Sequence, residues 1–232
     1  MLPRVCIPSY NRPGVLLTKT LDFLQRVAYP KDRINIFVAS EEERLRYRAG
    51  CFDYNLVVGV PGLVPQRNFI SEWLDEDEIY VSLDDDVVGV KGGGLLDVVR
   101  RGVALLETRQ AGLFGVLPKD DARCFKDSTT THLSFIVGAF FICRNHKDMR
   151  IQSFCEDYER CILYFKRYGA VFRYRGAGVQ TRYAGTSGGL EGRLGRKRNA
   201  VNQLISTYPD YCSFRDKKGE ADILLKWRAI NM

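Results

Sequence analysis

Residues 79–86 read Ile79-Tyr80-Val81-Ser82-Leu83-Asp84-Asp85-Asp86, a run apolar enough for a buried strand that ends in three consecutive carboxylates. Three acids at one strand end repel each other unless a cation neutralises them, and oxygen-only ligands suit Mg2+ or Mn2+. The stretch therefore reads as a holder for a metal-bound phosphate. The plainer alternative is that the aspartates face water or lead into a helix, where early acids favour the macrodipole.

Upstream of the triplet, short apolar runs alternate with helical patterns, which predicts an α/β sheet. Val5-Cys6-Ile7 is a first strand, followed by Pro8-Ser9-Tyr10-Asn11-Arg12-Pro13, turn chemistry that opens a helix with Leu17, Leu21 and Leu24 on one side. Residues 34–39 and 56–60 are two further strands, with a short charged helix over 41–48 between them. Gln66-Arg67-Asn68 begins a helix whose buried stripe is Ile70, Trp73 and Leu74. Ligands of such sheets gather at the carboxyl ends of the strands.

Downstream, Gly92-Gly93-Gly94 is a flexible link to a helix carrying Leu95, Val99, Val103 and Leu106, and residues 113–117 form a strand. Residues 135–143 are strand-like but interrupted by Gly138-Ala139, a place where a ligand or another backbone can approach. A helix starts in Cys155-Glu156-Asp157-Tyr158-Glu159. Eight of the 21 glycines then fall between residues 169 and 195, interleaved with arginines, and this portion is expected to be loop-rich. Helical spacing resumes over 199–208, and residues 223–227 add a last strand or helix.

With 232 residues, 45% of them hydrophobic and 27% charged, the chain fits one large domain and is not a disordered polymer. No apolar stretch is long enough to span a membrane, and residues 1–7 lack the layout of a secretory signal, so a cytoplasmic protein is expected. The seven scattered cysteines, never spaced Cys-x-x-Cys, read as reduced thiols. Between residues 160 and 200 there are ten Lys or Arg against one acid, Glu191, so this segment carries +9 while the whole chain carries +7. A local positive field beside an acidic metal site points to a polyanionic partner, or else to a solvated basic surface. Its densest part is Arg193-Leu194-Gly195-Arg196-Lys197-Arg198.

Three elements occur in a set order: Ile-Pro-Ser-Tyr-Asn-Arg-Pro after the first strand, Ser-Leu-Asp-Asp-Asp after the fourth, and Cys-Glu-Asp-Tyr-Glu at a later helix start. Together they resemble a GT-A glycosyltransferase. The resemblance implies a Rossmann-like mixed sheet flanked by helices, with residues 1–90 as the nucleotide-sugar half and 91–232 as the acceptor half of a single domain. It implies that Pro8, Ser9, Tyr10, Asn11 and Arg12 line the nucleoside pocket. Gln66, Arg67 and Asn68 would face ribose or diphosphate, Asp84 and Asp86 would straddle Mn2+ or Mg2+, and Asp85 would reach the ribose. Asp157, with Glu156 beside it, would be the catalytic base.

Glu156-Asp157-Tyr158, the stretch from Gly169 to Tyr174, Thr181-Arg182-Tyr183, Ser187-Gly188-Gly189 and Tyr208-Pro209 are more particular. They are similar to the TET-associated glycosyltransferases, largely of bacteriophages, and to the related base J glucosyltransferases. What this implies is sugar transfer from a UDP-sugar to 5-hydroxymethylcytosine or 5-hydroxymethyluracil in DNA, with inversion. Arg182, Gly188, Gly189, Arg193, Arg196, Lys197 and Arg198 would contact the acceptor, and no obligatory protein partner is implied. A polysaccharide, lipid or protein acceptor, a nucleotidyltransferase, and a non-catalytic nucleic-acid-binding module remain the competing readings. One departure stands out: many GT-A enzymes supply a late metal-binding histidine, whereas His132 and His146 both precede Asp157. Either His132 reaches the site from a loop or water and diphosphate complete the coordination, and the plainer expectation for both is an exposed loop position without a ligand role.

Overall fold

The computed structural model describes residues 1–51, 53–182, 193–217 and 219–226, with backbone alone at Cys51 and at 193–197. In chain order the elements begin β1 (Arg4–Pro8), α1 (Pro13–Leu16), a π-helical turn (Leu17–Leu21), α2 (Asp22–Arg26), β2 (Ile34–Val38), α3 (Glu41–Cys51), β3 (Asn55–Val58), α4 (Leu63–Trp73) and β4 (Ile79–Leu83). They continue with β5 (Val87–Lys91), α5 (Leu95–Glu107), β6 (Leu113–Leu117), β7 (Thr129–Thr130), β8 (Phe140–Arg144) and α6 (Glu156–Tyr168). The last are β9 (Phe172–Thr181), α7 (Arg193–Thr207), β10 (Cys212–Lys217) and β11 (Glu220–Leu225).

Strands β1 to β4 are mutually parallel, and the main sheet runs β3-β2-β1-β4-β8-β6-β9-β5, with β7 beside β9. Strand β8 runs antiparallel to β4 and β6, and β5 antiparallel to β9, so the sheet is mixed. Period-two alternation distributes the side chains. Val5 and Ile7 of β1 join the core under α1, α2, α3 and α5, while Cys6 joins the core under α4, α6 and α7. Sheets covered on both faces need near-continuous apolar strands, which is why β2 is buried at all five positions. On α5, Leu95, Val98, Val99, Gly102 and Leu106 form the buried stripe.

The structure corrects three expectations. Residues after the triplet are not only a link to the glycine run, because Val87–Lys91 is strand β5. The strand expected over 135–143 starts at Phe140, since residues 135–139 leave the sheet to meet α6, where the Ile136 N–H donates to Cys161 Sγ at 3.2 Å. The Gly/Arg-rich portion expected to be loop contains strand β9, seated between β6 and β5. Of the strand or helix expected over 223–227 the structure has the strand, β11, and it pairs antiparallel with β10, for which no strand was expected. Gly92, Gly93 and Gly94 all have φ between 73° and 116°, so this link is glycine-coded backbone that other residues adopt poorly.

Candidate active site

The carboxyl ends of β1 and β4 lie side by side, because the two strands pair in parallel from Arg4↔Tyr80 to Cys6↔Ser82. That register brings the turn after β1 against the three aspartates. Asp85 is fully buried, accepting from Ser9 Oγ at 2.6 Å and pairing with the Arg12 guanidinium. Tyr47 of α3 sits behind them, its hydroxyl 2.8 Å from Ser9 Oγ and accepting from the Arg12 N–H at 2.9 Å. Burial pushes the Asp85 carboxyl up to about 6, against the opposing pull of Ser9 and Arg12. Expected to reach a ribose, Asp85 instead locks the β1 turn to the acidic turn, leaving no exposed oxygen.

Asp84 and Asp86 flank it differently. The Asp84 side chain is 36% exposed, and its Oδ1 accepts from Arg67 Nη2 at 2.7 Å. Asp86 is 6% exposed, and its carboxyl is pushed up by burial and then by Asp84. Among the described residues no other side chain donates a hydrogen bond to the Asp86 carboxylate, although Arg12 and Lys19 act on it electrostatically. An acid raised by burial and by a neighbouring acid is an environment that a hard divalent cation relieves. The donor set of Asp86 with the second oxygen of Asp84 therefore fits Mg2+ or Mn2+.

The second acidic motif reaches the same edge. The loop before β8 supplies two carbonyls: Ala139 accepts the Asp84 N–H at 3.0 Å, and Gly138 accepts Arg67 Nη2 at 3.1 Å. Gly138 lets α6 approach closely, since a Cβ there would lie 2.6 Å from Glu156 Oε1, which would have to shift, and 3.8 Å from Asp157 Cβ. The start of α6 is thus held against the acidic turn through this glycine. Glu156 is 5% exposed; it pairs with Arg160 and lies 3.9 Å from Arg67 Nε. Arg67 and Arg160 both lie over the Phe141 ring, at 5.4 and 3.9 Å from its centroid. Burial, then Arg67, lowers Arg160 to about 10. Glu156 is consumed by this cationic pair. Asp157 is half-buried in the first turn, where its Oδ1 accepts the Tyr158 N–H at 3.0 Å.

The remaining expected residues divide clearly. Pro8 closes β1, Tyr10 is 51% exposed, and Asn11 sits at φ 56°, with its N–H donating to buried Glu43 and its Oδ1 accepting from Arg46 at 2.7 Å. Gln66 and Asn68 do not face the triplet. Gln66 accepts the Val60 N–H at 2.8 Å and donates to Val38 O at 3.2 Å, while Asn68 donates to the Ile151 carbonyl at 2.8 Å and accepts its N–H at 3.0 Å. They staple α4 to its neighbours and leave Arg67 alone to meet the acids. Arg67, 7% exposed, is turned inward and not toward the open edge.

Arg182 closes the edge from β9, its N–H donating to the Asp86 carbonyl at 3.2 Å. Arg198 is exposed on α7, which also carries Arg193, Arg196 and Lys197 near its start. Gly188 and Gly189 lie outside the described residues. His146 is buried, contrary to expectation, with its ring nitrogens 2.8 Å from Glu76 Oε1 and 2.6 Å from the Tyr168 hydroxyl. It belongs with Glu76 and Asp148 at the opposite edge of the sheet, where β4 begins. His132 is lowered by burial and by Arg173.

Sequence reasoning missed Thr20, Lys19, Glu43 and Tyr47. The one available signal was polarity at a core position: Thr20 is fully buried between leucines of the first helical region.

The sequence matches no family model and no curated protein. Solved structures do share the fold. A mycobacterial protein aligns with a TM-score of 0.59 at 12% identity, over 97% of this chain and 83% of that one. Glucosyl-3-phosphoglycerate synthase from Mycobacterium tuberculosis in complex with Mn2+, UDP-glucose and phosphoglyceric acid aligns with a TM-score of 0.57 at 13% identity, over 99% and 88%. The same synthase with Mg2+ and UDP gives 0.55 at 14% identity, over 97% and 87%. The synthase has the GT-A glycosyltransferase fold, and the mixed sheet flanked by helices described above is that fold.

Proposed function

We propose that the protein is a metal-dependent, inverting glycosyltransferase that moves a sugar from a UDP-sugar to a hydroxymethylated pyrimidine in DNA. The single observation that carries the enzymatic reading is the meeting of two acidic motifs at one sheet edge, joined by Arg67 between Asp84 and Glu156. Structures of the same fold in complex with Mn2+ and UDP-glucose support the donor class.

In this reading Asp86 and the free oxygen of Asp84 would hold Mn2+ or Mg2+. When bound, the ion supplies Lewis-acid stabilisation of the charge growing on the leaving diphosphate. Ser9, Tyr10, Asn11 and Arg12 border the nucleoside, with Asp85 fixing the loop that carries them. Arg67 orients Asp84 through the 2.7 Å hydrogen bond to its Oδ1. Asp157 takes the proton of the attacking hydroxyl as general base, a role Glu156 is excluded from by its arginine partners.

The DNA acceptor rests on the basic residues of the second half and on the motif resemblance. Arg193, Arg196, Lys197 and Arg198, on or beside the edge of the Gly-rich segment, would grip phosphates without reading sequence. Not every basic residue there is available: Arg160 pairs with Glu156, and Arg167 pairs with Asp148 at 2.8 Å. A second acceptor class is favoured by one observation, since neighbours were solved with the small acceptors phosphoglyceric acid and glycerol 3-phosphate.

The test is incubation with a panel of nucleotide sugars, Mn2+ and either hydroxymethylated DNA or small phosphorylated acceptors, read by mass spectrometry. A hexose on the modified base supports the proposal. Transfer only to a small acceptor, or none to any, contradicts the DNA assignment.

A further inference from the structure

Helical region one contains a π turn at Leu17–Leu21, between α1 and α2. Single π turns inside α-helices shift the residues around them and recur at functional sites. Here the turn delivers two polar side chains onto the acidic triplet. Thr20 is 0% exposed, among apolar neighbours such as Leu16, Leu21 and Leu24. Its hydroxyl donates to the Asp84 carbonyl at 2.8 Å and accepts the Val87 N–H at 3.0 Å. One oxygen thus ties the residue at which the chain enters the triplet to the residue at which it leaves. Lys19, the preceding residue, donates to the Arg182 carbonyl and acts electrostatically on Asp86.

Three adjacent carboxylates repel one another and tend to spread apart. Keeping Asp84 and Asp86 close enough to share one cation therefore needs a clamp on the backbone of the turn. Asp84 is fixed on one side by its N–H to Ala139, and Asp86 by its carbonyl to Arg182. Nothing in those two contacts joins the ends to each other. The Thr20 hydroxyl does.

We propose that Thr20 is a positioning residue that pre-forms the cation-binding turn by bridging Asp84 and Val87. This rests on the reading of the triplet as a metal and donor site, and deepens it. A pre-formed turn makes the first cation contact cheaper in conformational entropy, so its loss is felt in metal-dependent donor binding more than in the fold.

The experiment compares the parent protein with Thr20→Val, which keeps shape and loses the hydroxyl, and Thr20→Ser, which keeps the hydroxyl. UDP binding is titrated over a range of Mn2+ concentrations, and amide hydrogen exchange at Val87 is followed without ligand, at a temperature where all three are folded. Thr20→Val is expected to need about tenfold more Mn2+ for half-maximal UDP binding, the scale of one or two lost hydrogen bonds. Its Val87 amide exchanges faster, and Thr20→Ser restores both. Equal Mn2+ dependence in parent and Thr20→Val overturns the proposal. If the parent binds no UDP with Mn2+, the donor reading fails by itself; Val87 exchange then decides Thr20, faster exchange supporting the clamp and unchanged exchange overturning it.

Discussion

Arg67 Nη2 donates to Asp84 Oδ1 at 2.7 Å from a side chain that is only 5% exposed, so the first aspartate of the triplet has an internal cation as partner. The same guanidinium lies 3.9 Å from Glu156 at the start of α6. Removing it leaves two acids short of a counter-charge in a largely dry place. Arg67→Met is expected to lower unfolding free energy by about 3 kcal/mol, the usual size for a broken buried pair. Arg67→Lys, which keeps the charge but not the fork, should recover part of this. Urea denaturation measures both, and a loss below about 0.5 kcal/mol in the methionine variant would contradict the structure.

The three aspartates are neighbours with separate duties, and their amides should separate them. Asp86→Asn removes the carboxylate that lacks a side-chain hydrogen-bond donor among the described residues, and is expected to weaken Mn2+-dependent UDP binding by roughly a hundredfold or more. Asp85→Asn keeps an acceptor for Ser9 and should weaken it far less, by about tenfold at most. Calorimetry with UDP and Mn2+ distinguishes the two, and equal losses would refute the division.

Asp85 also sets a pH dependence. Its folded value of about 6 lies above the ordinary 3.8, so between these values the native state binds more protons than the unfolded one. Unfolding free energy contributed by this group therefore falls as pH rises from about 4 to about 6, by on the order of 3 kcal/mol, and is level above. The difference between parent and Asp85→Asn denaturation profiles isolates it; a difference that is flat over that window removes the buried-acid assignment. Asp86 is raised in the same direction, so donor binding should weaken on acidification sooner than an ordinary aspartate would dictate.

Asp157→Asn should keep UDP binding and lower transfer by about two to four orders of magnitude, as expected for a lost general base. Glu156→Gln should act differently, through stability, because Glu156 is packed between Arg67 and Arg160. Single-turnover assays paired with thermal melts make the comparison, and full turnover in Asp157→Asn would remove it from the base role.

Much of this arrangement was legible because the first half obeys simple patterns. The apolar runs that became β1, β2, β4 and β6 are short and flanked by turn chemistry, and the triplet ends β4 where the sequence placed it. Strand β9 was hidden because its glycines look like loop residues. They serve close approach instead: a Cβ at Gly178 would lie 2.0 Å from the Lys119 carbonyl oxygen, and at Gly176 it would lie 2.2 Å from the Tyr174 hydroxyl. Such packing demands are set by distant residues and leave no periodic trace. The role of Arg67 was half visible, since the sequence marked residues 66–68 as facing a ligand. Only the fold reveals that Gln66 and Asn68 are spent on backbone groups and that Arg67 faces inward. Thr20 could be marked as a polar residue at a core position, but its role could not, because its partners are 64 and 67 positions away.

Titration of the protein with UDP, with and without Mn2+, asks whether the acidic turn holds a divalent cation through which a uridine diphosphate is bound. Binding that requires Mn2+, vanishes with chelator and is absent in Asp86→Ala is the predicted result. UDP binding of equal strength without the metal, or none in its presence, would contradict the account.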